Sequence, residues 1–415
     1  MTTISTSRTI ATDRIVAAAM TLVAELGLSG LTMRDLAQAV GKSTTVIVNR
    51  FGSKSGLIEA IATAAFEQDE VYHDTFFASV SELALSRDAL LVLVGRYLRE
   101  RALASANFVR VWEELLVSAE PAPFLPPLLV RWEAMRRKAW TAFLARTPGL
   151  ATFGEAVSTY LIIEQFYAGA LGGRADYEVI AAEGLGGLVD RAFGRRDDPA
   201  SASESYVGQL AIPKAPADGL EVGSLKLELL DVAADQILTR GVAVVTNRSV
   251  STAVRTSTST IAYHWVDMRR FLIDAVWHAV FREMPGYLDY RHPAGDGPPD
   301  LQRWSDLMAR TLKVGDAEGQ GFYIKYARLI AQVCLKARRD PSFQELAMIL
   351  RGPEGGGTYV KRAELWPAHF DLTRRAATRF ALWIKGAAIM AGATEQAPNA
   401  LSLQAAAAVL VAERG

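Results

Sequence analysis

The chain has 415 residues, half of them apolar and 22% charged, with 45 lysines and arginines against 45 acids. That length carries two or three domains and a sizeable core. The zero net charge excludes any case for nucleic-acid binding from overall charge, so such a case must rest on local charge. A single cysteine, Cys334, excludes an internal disulfide and fits a reducing cytoplasm.

The N-terminal MTTISTSRTIATDR is followed by no apolar signal core, and the most apolar stretch, 150–173, is interrupted by Glu155 and Glu164. No membrane span and a cytoplasmic location are expected. Residues up to about Thr9 read as a flexible arm. From Thr12 an amphipathic helix places Ile15, Val16, Ala19, Leu22, Val23 and Leu26 on one side, and Gly27 stops it. Thr32 is an N-cap with Asp35 as the acidic half of a capping box. Met33, Leu36, Ala37 and Val40 then recur at helical spacing, and Gly41 ends the helix as a left-handed residue would. Ser43 or Thr44 starts a second short helix with Val46 and Ile47 inward. Phe51 and Gly52 close it, and Ser53 caps a further helix carrying Leu57, Ile58, Ile61, Ala62 and Ala65 toward Tyr72. Two short helices around a Gly-bearing turn form the helix-turn-helix pattern.

From about Asp88 to Phe193 the pattern is helical throughout. Residues 195–224, rich in Pro, Ser, Ala and Asp, read as an interdomain linker. The chain then repeats itself. At a shift of 214 residues, Ala19, Gly27, Thr32, Arg34, Ala39, Val40, Ser43, Thr44 and Ile47 fall on Ala233, Gly241, Thr246, Arg248, Ala253, Val254, Ser257, Thr258 and Ile261. No gap is needed, and the matches sit at helix stop, cap, turn and buried positions. Residues 301–413 are again helical segments, interrupted by glycine-rich loops at 315–321 and 351–357.

Residue chemistry points the first helix-turn-helix at DNA. Ser43, Thr44, Thr45 and Asn49 are small or polar enough to lie deep in the major groove, where Asn reads adenine through two hydrogen bonds. Lys42, Arg50 and Lys54 have no acid among them and suit phosphates; Arg34, and Arg8 or Arg14 near the arm, add to that set. The second unit offers Arg248, Arg255, Thr256, Ser257, Thr258, Thr260, Tyr263 and His264. A run of Ser and Thr is more often a plain capped surface helix. Three helices in register, seen twice, favour the DNA reading.

These residues resemble the TetR family of bacterial transcription regulators. The resemblance rests on Gly27, Thr32, Gly41, Ser43, Thr45, Arg50, Phe51, Ser53 and Lys54, and covers 12–66 well and 226–280 less well. The family usually has a Tyr three residues before the Phe; here Val48 and Ala262 stand there. Gly41 becomes Arg255, a poor left-handed residue. Lys54 becomes Met268, with Arg269 and Arg270 following as substitutes.

The resemblance implies an all-α chain of two tandem units. Each has a helix-turn-helix domain (1–66 and 224–281) and a helical regulatory domain (67–194 and 282–415), joined by a linker at 195–223. Because the family dimerises, the two units are expected to form an internal pseudo-dimer, with homodimerisation left open. Residues 156–172 and 380–392, aromatics beside Gly and Ala, are the candidate seam. The implied partners are double-stranded operator DNA and a small-molecule effector, and the implied function is a ligand-responsive repressor on an imperfect or asymmetric operator. The alternative is a ligand- or protein-binding helical protein whose second helix-turn-helix is retired. Trp112, Phe166, Tyr167, Tyr323, Tyr326, Trp366 and Trp383 are candidates for an apolar effector pocket, although core packing is the commoner fate of such residues.

No catalytic constellation is legible. The five histidines and Cys334 have no metal-ligand spacing, and the glycine-rich loops lack a phosphate-binding Lys-Ser/Thr. His73 and Asp74 read as the end of a surface helix. No enzyme activity, cofactor or metal is expected.

Overall fold

The computed structural model describes residues 2–103, 105–118, 122–197, 202–291, 298–315 and 319–414, with side chains outside 2–13, 202–203 and 284–291. Among them the chain is all-helical apart from one pair of two-residue antiparallel strands, in which Phe370 stands opposite Glu413. The first half holds α1 (Thr2–Leu26), α2 (Met33–Ala39), α3 (Thr44–Phe51), α4 (Lys54–Ala78), α5 (Arg87–Ala102), α6 (Asn107–Leu116), α7 (Leu125–Leu144), α8 (Phe153–Leu171) and α9 (Ala175–Ala192). A short α10 (Ala202–Val207) within the expected linker lies against α9. The second half holds α11 (Leu225–Arg240), α12 (Asn247–Val254), α13 (Ser259–His264), α14 (Met268–Arg291), α15 (Leu301–Thr311), α16 (Phe322–Arg339), α17 (Gln344–Arg351), α18 (Gly356–Val360), α19 (Arg362–Leu365), α20 (Arg374–Thr394) and α21 (Ala400–Leu410).

Each half opens with a small helical head. In the first, α1 packs on α4 and α6, and α2 packs on α3. In the second, α11 packs along α14, and α12 touches α11 and α13. The first helix is longer than its sequence suggests: the expected arm up to Thr9 is part of α1. Leu26, expected on its inward side, is exposed, because Gly27 turns the chain away with φ +80°.

The two halves meet through α8 and α20, the most extensive helix pair among the described residues. Glycine sets their approach. A Cβ at Gly386 would overlap the Thr159 carbonyl oxygen, so only Gly lets the backbones come this close. α16 also lies along α8 and α20.

Buried charge is concentrated near this seam. Asp69, fully buried, takes Arg101 and the Trp132 Nε1–H (2.6 Å). Arg101 also donates to Gln165 (2.7 Å), and Gln165 donates to Glu113 (3.1 Å). Burial by itself would raise the Asp69 carboxyl, but Arg101 and His73 outweigh it and hold it well below 3.8. His73 is part of this cluster and not of the surface: its Nδ1 lies 2.7 Å from the Asp69 carbonyl oxygen and its Nε2 2.9 Å from the Tyr97 hydroxyl. α4 continues past it to Ala78, which buries what sequence placed at a helix end.

Candidate nucleic-acid interface

Local chemistry builds the first head as expected, with differences. The Thr32 hydroxyl accepts from the Asp35 amide and donates to the Asp35 carboxylate (2.6 Å). Gly41 is left-handed, at φ +63°. Ser43 is the N-cap of α3, accepting from the Val46 amide (3.4 Å), and Ser53 caps α4, accepting from Gly56 (3.2 Å).

Helix phase then decides what α3 presents. Ile47 is its one fully buried residue. At about 100° per residue, positions two before and two after Ile47 point most directly away from the core. Those are Thr45 and Asn49, both exposed, flanked by exposed Val46 and Val48. Val46 was expected inward and is 45% exposed; one residue from Ile47, it cannot share that face. An outward valine suits contact with a thymine methyl group. Arg34, Lys42, Ser43 and Thr44 are exposed, while Arg50 and Lys54 are half-buried. Thr45 and Asn49 thus form the centre of an outward face rimmed by cations, an arrangement suited to bases within and phosphates at the edge.

The matching family model covers this head. Residues 15–61 match the bacterial regulatory proteins of the tetR family. This TetR-type domain makes the chain a DNA-binding transcription regulator. No curated protein matches the chain. No helix among the described residues is long and apolar enough to cross a membrane.

Beside the TetR-type head, residues 225–266 differ in detail. Thr246 and Ser249 form a reciprocal capping box (3.0 and 2.9 Å). Arg255 occupies the left-handed region at φ +58°, which costs a non-Gly residue about 1–2 kcal/mol. α13 is only six residues long, with Ile261 buried. By the same phase argument Ser259 and Tyr263 point outward, and both are exposed. Ser259 escaped the sequence reading because, within a run of Ser and Thr, only the buried Ile261 fixes which hydroxyl faces out. Thr260 turns partly inward, its hydroxyl 2.8 Å from that of Thr256. Arg248, Arg255, Ser257 and Thr258 are exposed, and His264 is half-buried between the rings of Tyr263 and Trp265. At the start of α14 an acid replaces a hydroxyl: Asp267 accepts from the Arg270 amide (2.7 Å). Arg269 lies 3.7 Å from Asp267 and Arg270 3.3 Å from Asp274. The arginines that follow Met268 therefore face carboxylates of their own chain.

The pocket candidates scatter. Trp112 and Phe166 stack in the core at 6.5 Å, with Arg136 over Trp112 at 4.0 Å. Trp366 packs among Trp304, Phe370 and Phe380. Tyr167 is buried and donates to Glu354 (3.0 Å). Trp383 lines a cleft of about 460 Å³ between α7, α8, α20 and α21. Tyr323 and Tyr326 alone share a wall, in a cavity of about 270 Å³ within the second half.

Proposed function

We propose that this regulator is a ligand-responsive repressor in which two non-identical helix-turn-helix units of one chain form an internal pseudo-dimer. The observation that carries the DNA-reading part is the outward pair Thr45 and Asn49, with Lys42 and Arg34 exposed beside it. The second unit supplies Ser259 and Tyr263 at the corresponding positions. Two different readers call for an asymmetric operator, with half-sites about one helical turn apart.

Three features support pairing within the chain. Gly27 and Gly241, 214 residues apart, both have positive φ. The amides that follow them are held alike: Leu28 donates to Glu114 (3.0 Å) and Val242 to Gln332 (3.1 Å). The seam is also coded by charge. Glu113, Glu114 and Glu164 of the first half pair with Arg338, Arg339 and Arg351 of the second. Two first halves brought together the same way would leave two of these three carboxylates without their arginines, since the 214-residue shift puts Phe124, Leu125 and Arg137 where Arg338, Arg339 and Arg351 stand, and that loss disfavours such a partner. The chain is accordingly a monomer across this surface, and it acts by binding rather than catalysis.

An effector that prefers one arrangement of the halves shifts the separation of the heads and weakens DNA binding. A second reading, in which the second head no longer reads DNA, is favoured by Asp267, a carboxylate where the first head offers Ser53 and Lys54. A gel-shift titration against genomic fragments at several salt concentrations tests the main reading. Saturable binding competed by specific but not by random DNA supports it, and absence of binding at low salt overturns it. Light-scattering mass with the length of protected DNA tests the pairing: one chain on one operator is expected.

A further inference from the structure

The cavity in the second half has walls of Trp277, Phe281, Phe322, Tyr323 and Tyr326, with Ile212 from the linker closing one side. Its polar feature is a buried pair, Lys385 and Glu354, exposed by 3% and 5%. Glu354 is doubly held: one carboxylate oxygen takes the Lys385 ammonium, and the other takes the Tyr167 hydroxyl of α8 across the seam. Burial, followed by the neighbouring Glu354, raises the Tyr167 phenol well above its ordinary range, so it stays a donor. Lys385 has three N–H donors. One of them goes to Glu354, and the Tyr326 ring lies 5.1 Å from Nζ.

We infer that this cavity binds an uncharged, flat, largely aromatic molecule bearing one hydrogen-bond-accepting carbonyl, which Lys385 holds and which thereby loosens the Lys385–Glu354–Tyr167 link across the seam. The aromatic walls select a flat apolar body. The ammonium selects an acceptor. The Glu354 carboxylate beside it disfavours an anion, and a cation would face Lys385. The first half has its own, larger cleft of about 680 Å³ between α4 and α7, lined by Phe66, Phe77 and Phe143, but its one lysine there, Lys138, is exposed, so it lacks the buried lysine–carboxylate pair. This assignment rests on the ligand-responsive reading above and adds which half responds, to what chemistry, and through which contact.

The test uses the full chain and three probes of one shape: 2-acetylnaphthalene, 2-naphthoate and 2-(aminomethyl)naphthalene. Binding is read by calorimetry and by quenching of tryptophan fluorescence, which Trp277→Phe should diminish. The neutral ketone is expected to bind one to one and more tightly than either ion. Lys385→Met should weaken the ketone about ten- to hundred-fold, the loss of a hydrogen bond to a charged group, and leave plain naphthalene unchanged. If Lys385→Met does not fold, Lys385→Met with Glu354→Gln removes both charges and carries the same comparison. Glu354→Gln alone should improve naphthoate. Tyr167→Phe should keep ketone binding but lose its effect on DNA affinity. No saturable ketone binding up to its solubility limit, tighter naphthoate than ketone, or an unaffected Lys385→Met overturns the inference. DNA affinity without ligand is measured separately, so failure of DNA binding overturns the regulator reading and failure of ketone binding overturns only this one.

Discussion

The two helical halves handle buried charge in opposite ways. In the first, Asp69, Arg101, Gln165, Glu113 and Arg110 form a chain that closes largely on itself. In the second, the buried or half-buried Arg338, Arg351 and Arg379 reach outward, and the Lys385–Glu354 pair is tied to the first half through Tyr167. Arg351 meets Glu164 of α8 at 3.0 Å, and Arg379 meets the Gly187 carbonyl at 2.9 Å. The first half therefore supplies acceptors that the second needs. A buried charge without its partner is costly, so the second half is expected to depend on the first for its order, and the reverse dependence is weaker.

The largest expected effect tests whether the first half's network is a unit. Asp69→Ala leaves Arg101 buried without its carboxylate and should cost about 3–5 kcal/mol, read as a fall in urea midpoint at unchanged slope. A cost below about 1 kcal/mol would show that the cluster is not what holds the half together. The seam comes next. Gly386→Ala sets a methyl against the Thr159 carbonyl and should cost about 1–3 kcal/mol; no change in melting would mean α8 and α20 do not need this approach.

The heads sharpen the comparison at smaller scale. Asn49→Ala should lower specific DNA affinity by about 1–3 kcal/mol, while Lys42→Ala should weaken all sequences alike and reduce the salt slope by about one. Tyr263→Ala should cost less than Asn49→Ala in the same titration; an equal loss would make the heads equal readers. Arg255→Gly should stabilise by about 1 kcal/mol, since glycine takes the left-handed conformation freely.

A pH-dependent effect concerns the exception in the first half. The Glu133 Oε2 is out of reach of water and has no hydrogen-bond partner. Burial raises its carboxyl from 4.5 to about 7. Between those values the folded chain holds a proton that the unfolded chain has lost, so the contribution to stability is complete below pH 4.5 and fades as pH rises through 7. Glu133→Gln should raise the melting temperature at pH 8 and leave it nearly unchanged at pH 4. Equal shifts at both pH values would assign the effect to packing.

Much of the architecture was legible in residues alone. The turn glycines Gly27 and Gly41, the caps Thr32 and Thr246, and the buried Ile47 and Ile261 each carry a local requirement that leaves a trace at fixed spacing. So does the seam: small residues around Gly386 marked α20 as able to approach another helix. Local rules also failed locally. Val46 and Leu26 read as inward because an apolar side chain says that it prefers burial, not which side of a short helix the core lies on. Only packing of Ile47 against the head set the phase of α3, and with it the outward pair Thr45 and Asn49.

What the chain could not declare by itself are the meetings of residues far apart in sequence. The partnership of Glu164 with Arg351, or of Tyr167 with Glu354, spans 187 residues, and no periodicity encodes it. The same holds for the cavity: Tyr323 and Tyr326 line it while Trp112 and Phe166 are sealed in the core, although all four are aromatics on helices. Sequence determined a TetR-type helix-turn-helix head at 15–61 and carried a like pattern of caps and turns 214 residues on. The tertiary structure decided which of their side chains face out, which charges close on one another, and which aromatics line a cavity, because each depends on the three-dimensional packing of helices rather than on the order of residues within any one of them.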